Sequence, residues 1–275
     1  MRGSLRYEEI EKIARSLFHR ALKLQVGCGA EPTLSKDLVQ IIALGKQYRV
    51  PYISLTTNGN LLSREQLTSA VKNGLDELTL SAHGFTHETY EYLMTNGKFD
   101  LFKQLLADVA EVKRTHPGFK LRINYTINRD NLEELSRIWE VVGSELDILQ
   151  LRPIQKIGNS EYDDFDLTTI HQRYDAILLP LIEECRRRGI TCLAPDKQNI
   201  VVLEENKEQD DSFERITYCY VSPNECWQED FDYRTDTFES YALRRHLGKE
   251  LLGKVFGKSN RKKVDVTRKM NYNIK

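Results

Sequence analysis

Short runs with one apolar and one polar face, each followed by a helical stretch, constrain this chain more than any other feature. Leu22, Leu24 and Val26 alternate with Lys23, Gln25 and Gly27, and Ile53 and Leu55 with Ser54, Thr56 and Asn58. Leu78 and Leu80 alternate with Thr79, Ser81 and His83. Leu121, Ile123, Tyr125 and Ile127 alternate with Arg122, Asn124, Thr126 and Asn128. Leu149 and Leu151 alternate with Gln150 and Arg152. Successive strand side chains point to opposite faces, so each run predicts a strand with one greasy and one hydrophilic side.

Between these runs lie amphipathic stretches with apolar residues three and four apart, predicting helices over 6–21, 35–48, 63–73, 86–94, 99–115, 131–142 and 166–188. Ser63 and Gln66 fit a capping box, and Gly74 and Gly189 suit helix C-termini. A further short strand is expected over 191–194 and a helix over 243–256. Strands that alternate with helices at this rhythm are expected to run parallel, joined by right-handed crossovers. The helices must cover the apolar face, which leaves the other face polar on every strand. A closed eight-stranded barrel fills its interior with branched apolar side chains, so an incomplete barrel with a wet lumen fits better. An antiparallel sheet with one wet face is the alternative.

Composition narrows the function. Forty Lys and Arg residues against 41 Asp and Glu give a formal charge of −1, which argues against nucleic acid as a partner. No apolar run approaches the roughly 20 residues of a membrane span, and the opening MRGSLRYEEIEK is no signal peptide. The chain reads as cytoplasmic. Five cysteines, Cys28, Cys185, Cys192, Cys219 and Cys226, are an odd count with no C-x2-C pair, so neither a disulfide framework nor a zinc ribbon is expected.

Ligands in such folds bind beyond the C-terminal strand ends. There the sequence reads Gly29-Ala30-Glu31-Pro32, then Thr57-Asn58-Gly59, then Ser81-Ala82-His83-Gly84, and Arg152-Pro153 after the fifth run. In this order the motifs resemble those of the radical S-adenosylmethionine (SAM) superfamily: its GGEP turn, its second-strand TNG and its SLDG segment. Residues 122–126 and Asn131 are similar to the family's next strand and helix. The resemblance covers roughly residues 5–190.

It implies an α/β fold, an incomplete (βα)6-type parallel barrel over 1–195. Residues 196–275 would form a small C-terminal extension with a basic tail. It also implies that SAM is bound by Gly29, Ala30, Glu31 and Pro32, with backbone groups near Ala30 and Glu31 holding the methionine ammonium. Thr57, Asn58, Ser81, Asn124 and Arg152 would line the rest of the cofactor site, and His83 is a candidate substrate contact or proton donor. In the family a reduced [4Fe–4S] cluster cleaves SAM to a radical that takes hydrogen from a substrate, here a small molecule or a peptide.

One departure is large. The family's C-x3-C-x2-C supplies three thiolates to the cluster, and this sequence has no such triad. The chain opens on a helix where the family has a strand and the cluster loop. The expectation is a radical SAM enzyme, or a truncated form of one with Met1 an internal residue, inactive as this chain alone. The alternatives are a non-catalytic SAM-binding or partner-docking protein, and an unrelated barrel using Lys23 for imine chemistry. Cys185, Cys192, Cys219 and Cys226 could contribute to an auxiliary metal site, but the expected reading is ordinary buried or surface thiols that pack.

Overall fold

The computed structural model describes residues 3–155, 162, 164–201, 217–256 and 273–274. The chain groups into two compact units. One comprises Met1–Leu24, Ser35–Ile53 and Glu205–Val264; the other comprises Gln25–Leu34, Ser54–Glu204 and Asp265–Lys275.

The second unit carries the sheet. Its order follows the sequence: β1 (Lys23–Val26), β2 (Tyr52–Thr57), β3 (Glu77–Ala82), β4 (Lys120–Ile127), β5 (Leu146–Pro153), β6 (Thr191–Ala194) and β7 (Asn273–Ile274). The first six strands run parallel and β7 pairs antiparallel with β6. Helices α3 (Arg64–Lys72), α4 (His87–Leu93), α5 (Phe99–Thr115), α6 (Ile138–Val141) and α7 (Thr168–Arg188) fill the crossovers. This is the open α/β sheet expected from the alternation.

The face assignment is clearest in β4, where Leu121, Ile123, Tyr125 and Ile127 are buried while Arg122, Asn124 and Thr126 are only half-buried. Leu55, Leu78 and Leu121 share one register row, and Leu80, Ile123 and Leu149 another, all buried. On the opposite face Thr56, Thr79 and Arg122 are aligned, as are Ser81, Asn124 and Gln150.

Local chemistry fixes the helix ends. Ser63 accepts from the Gln66 amide while Gln66 reaches back to the Ser63 N–H, the reciprocal box that satisfies two orphan donors. At the end of α7, Gly189 takes φ +73° and its N–H closes on Arg186, a conformation glycine adopts without a Cβ clash.

One expectation needs correction. The stretch 131–142 is a 3-10 turn, Glu133–Arg137, followed by the single α-turn of α6, because the Asn131 side chain is engaged by the backbone of residues 83, 126 and 128. Within the basic tail, Asn273 and Ile274 pair with Ala194 and Leu193. The acidic run 204–211 lies outside the described residues.

The first unit contains α1 (Tyr7–Leu17), α2 (Leu38–Gln47), α8 (Phe238–Arg244) and α9 (Leu247–Phe256). Ile13, Ala14, Leu17 and Phe18 are buried, as are Leu38, Ile42 and Val50. Trp227 stacks on Phe238 with ring centroids 5.4 Å apart and meets Phe231 and Tyr241 at 5.2 and 4.9 Å. Arg244 forks onto the Asp236 carboxylate at 2.6 and 2.9 Å, the bidentate geometry that guanidinium favours.

Candidate functional site

The loop after β1 is built on a close approach that only glycine permits. Gly27 has φ +92°, and a Cβ there would stand 2.3 Å from the Thr56 carbonyl oxygen and 2.9 Å from Pro32 Cγ. Gly29 also has a positive φ, of +95°, whereas Ala30 is not among the residues with positive φ. Ala30 therefore stands in the motif's second glycine position without backbone strain.

Glu31 turns back into its own loop. Its Oε1 accepts from the Thr33 N–H at 3.0 Å, the Thr33 hydroxyl at 2.5 Å and the Thr57 hydroxyl at 2.6 Å. Its Oε2 accepts from the Asn58 N–H at 3.0 Å. Burial opposes ionisation, but these bonds outweigh it and hold the carboxyl below its ordinary range. Thr57 Oγ1 also accepts from the Gly59 N–H at 3.0 Å, and Asn58 Oδ1 from the Asn60 N–H at 3.0 Å. The loop after β1 and the end of β2 thus form one hydrogen-bonded unit, in which Gly29 and Ala30 are exposed and Pro32 is half-buried. Cys28 is exposed beside it.

A second tie was missed by sequence reasoning. Asn131, fully buried, donates through Nδ2 to the His83 carbonyl at 2.9 Å and the Thr126 carbonyl at 2.8 Å. Its Oδ1 accepts from the Asn128 N–H at 2.8 Å. Glu134 accepts from the Phe85 N–H at 2.6 Å and the Thr86 hydroxyl at 2.5 Å. Together these two side chains clamp the loop after β3 to the loop after β4. Sequence had assigned them to opening a helix; the only signal against that was an Asn recurring at a strand exit.

Of the expected contacts on the polar face, Ser81 and Asn124 stand side by side in the register, with Gln150 next in the row. Asn124 Oδ1 is buried without a partner, as are Ser54 Oγ and Arg122 Nε. Three orphaned polar atoms on one face of the sheet, one on β2 and two on β4, are unusual, because buried polar atoms are nearly always satisfied. His83 is half-buried at the end of β3; burial holds its ring below the ordinary histidine value against a bond to the Thr126 backbone. Arg152 is exposed one row further on, opposite Thr126.

Among the described residues no group of three or more His, Cys, Asp or Glu side chains could hold an ion. Cys185 and Cys192 are buried, and the Cys185 thiol is pushed up by its hydrogen bond with Cys192 and by burial. Burial pushes the Cys226 thiol up to about 11, opposite to what thiolate ligation needs. No helix among the described residues is long and apolar enough to cross a membrane.

Comparison with known proteins agrees with this geometry. Residues 2–138 match the model of the radical SAM superfamily. A probable GTP 3′,8-cyclase of Saccharolobus islandicus is 30% identical over 162 residues, 56% of this chain and 50% of that protein. A probable GTP 3′,8-cyclase of Pyrococcus abyssi is 28% identical over 208 residues, 73% of this chain and 66% of that protein. The chain spans about half the length of the first of these curated relatives. Among solved structures, Streptococcus suis SuiB bound to S-adenosylmethionine superposes with a TM-score of 0.54 at 14% identity, covering 76% of this chain and 48% of SuiB. SuiB bound to its precursor peptide SuiA gives 0.55 at 15% identity, over 79% and 48%. The ordered motifs, the open parallel sheet and the family match agree, and the chain belongs to the radical SAM superfamily.

Proposed function

We propose that this chain binds SAM across the C-terminal ends of β1 to β5 and serves an enzyme that abstracts hydrogen from a polar substrate. The superfamily uses SAM together with a [4Fe–4S] cluster. The residues described here fit SAM and do not fit the cluster, since no suitable set of ligands is present among them. SAM, when bound, supplies the adenosyl group on which the family's radical chemistry depends.

The observation that carries the reading is the unpartnered Asn124 Oδ1 beside Ser81 on the polar face. A buried acceptor left open costs about 1–3 kcal/mol, and a ligand hydroxyl or ammonium would relieve that cost. The exposed backbone at Gly29 and Ala30, leading into Glu31, would offer the methionine ammonium its acceptors, while Pro32, Thr57 and Asn58 hold that loop in shape. Arg152 flanks the far end. His83 is neutral at neutral pH, and with its one ring N–H given to the Thr126 backbone its other nitrogen is suited to accept a hydrogen bond from substrate. The substrate is a small polar molecule or a peptide.

Equilibrium titration of SAM against the chain tests this. Binding is expected, and Asn124→Leu should weaken it about tenfold, the worth of one ordinary hydrogen bond. Equal affinity in the two proteins would remove Asn124 from the site.

A further inference from the structure

Glu77, Arg122 and Gln150 form a chain of contacts on the polar face, one on each of three neighbouring strands. Glu77 is fully buried and its Oε2 accepts from Arg122 Nη2 at 2.9 Å, while its Oε1 accepts from the Thr79 hydroxyl at 3.1 Å. Arg122 Nη1 then donates to Gln150 Oε1 at 3.2 Å. A guanidinium carries donors only. Whichever amide atom of Gln150 faces it must therefore be the oxygen, and the amide cannot be flipped without setting donor against donor. The Gln150 NH2 group makes no hydrogen bond to any described residue. Gln150 is buried and lies in register with Asn124, whose Oδ1 is unpartnered.

We propose that Glu77 and Arg122 are positioning residues that set the polarity of Gln150, making its amide N–H groups a reader of a hydrogen-bond acceptor on the nucleoside half of SAM. The assignment to that half rests on the SAM reading above and on strand spacing. The loop after β1 and Gln150 on β5 are separated by four strand spacings, about 19 Å along the sheet at ~4.8 Å each. One SAM molecule held at its amino-acid end by that loop can present only its ribose or adenine to β5. Glu77 neutralises Arg122, so the group read is an uncharged acceptor, a ribose oxygen or a ring nitrogen. The relay also explains why an arginine is kept with its Nε buried and unpaired: Nη1 and Nη2 are both committed to orienting neighbours.

The test is Gln150→Glu, a near-isosteric change that keeps an oxygen toward Arg122 and replaces the donor with a second acceptor. Thermal stability should be retained, because Arg122 gains a charged partner, while the SAM dissociation constant should rise at least tenfold. 5′-Methylthioadenosine, which carries only the nucleoside half, should be weakened by the same factor, and methionine should be unaffected. Should Gln150→Glu lower stability, Gln150→Met, which has no N–H or carbonyl to leave unpaired, carries the same comparison. Arg122→Lys, which can offer one donor to Gln150, should bind more tightly than Arg122→Met. Unchanged SAM affinity in both Gln150 variants overturns the proposal while leaving the SAM site standing. A wild-type chain that binds no SAM overturns the parent reading and this one with it.

Discussion

The Thr57 hydroxyl donates to Glu31 Oε1 at 2.6 Å, joining the last residue of β2 to the loop that follows β1. The same hydroxyl accepts from Gly59, so one side chain closes both turns at that end of the sheet. Thr57→Val keeps the volume and removes both bonds. It should cost about 1–2 kcal/mol in urea unfolding and should weaken SAM binding by loosening the backbone around Ala30.

The pH dependence has a definite sign. Glu31 is held below its ordinary value when folded, so its contribution is complete above the unfolded value and lost as the pH falls through the lower folded one. His83 is also lowered, here because burial disfavours its charge. Its neutral form favours folding above the ordinary histidine value, and that contribution shrinks as the pH falls toward the folded value. Unfolding followed from pH 7 down to about pH 2 should show a loss in two stages, and His83→Gln should abolish the upper one.

Asn131→Ala should be among the most damaging single changes outside the apolar core. It leaves the His83 and Thr126 carbonyls and the Asn128 N–H without their partner in a fully buried position. About 3 kcal/mol of stability should be lost, and amide exchange at Phe85 and Thr86 should accelerate together. A drop confined to SAM affinity, with stability intact, would contradict this.

The chain of 275 residues has no C-x3-C-x2-C triad. After anaerobic iron–sulfur reconstitution and reduction it should release no 5′-deoxyadenosine from SAM, as read by chromatography. Detection of that product would require thiolates brought together from Cys28, Cys185, Cys192, Cys219 and Cys226.

The elements that depend on periodicity alone were legible in the sequence: α5 spans 99–115 and β6 spans 191–194 as expected, and the Ser63–Gln66 box forms. What escaped was long-range satisfaction of polar groups. Asn131 and Glu134 look like helix-opening residues until the loop after β3, some 48 residues earlier, is brought beside them. Glu31 likewise reads as part of a ligand turn, whereas its carboxylate is spent on Thr33, Thr57 and Asn58. Local pattern predicts which face a side chain takes; it does not predict which partner waits there.

The strict alternation of β4 makes its length a two-position switch. Losing one residue between Lys120 and Arg122 would rotate every later side chain by half a turn, driving Asn124 and Thr126 under the helices and Tyr125 into solvent. Losing two would restore the faces and merely slide the row along its neighbours. Natural relatives of this strand should therefore vary in length by even steps, with odd ones appearing only where a bulge absorbs the extra residue.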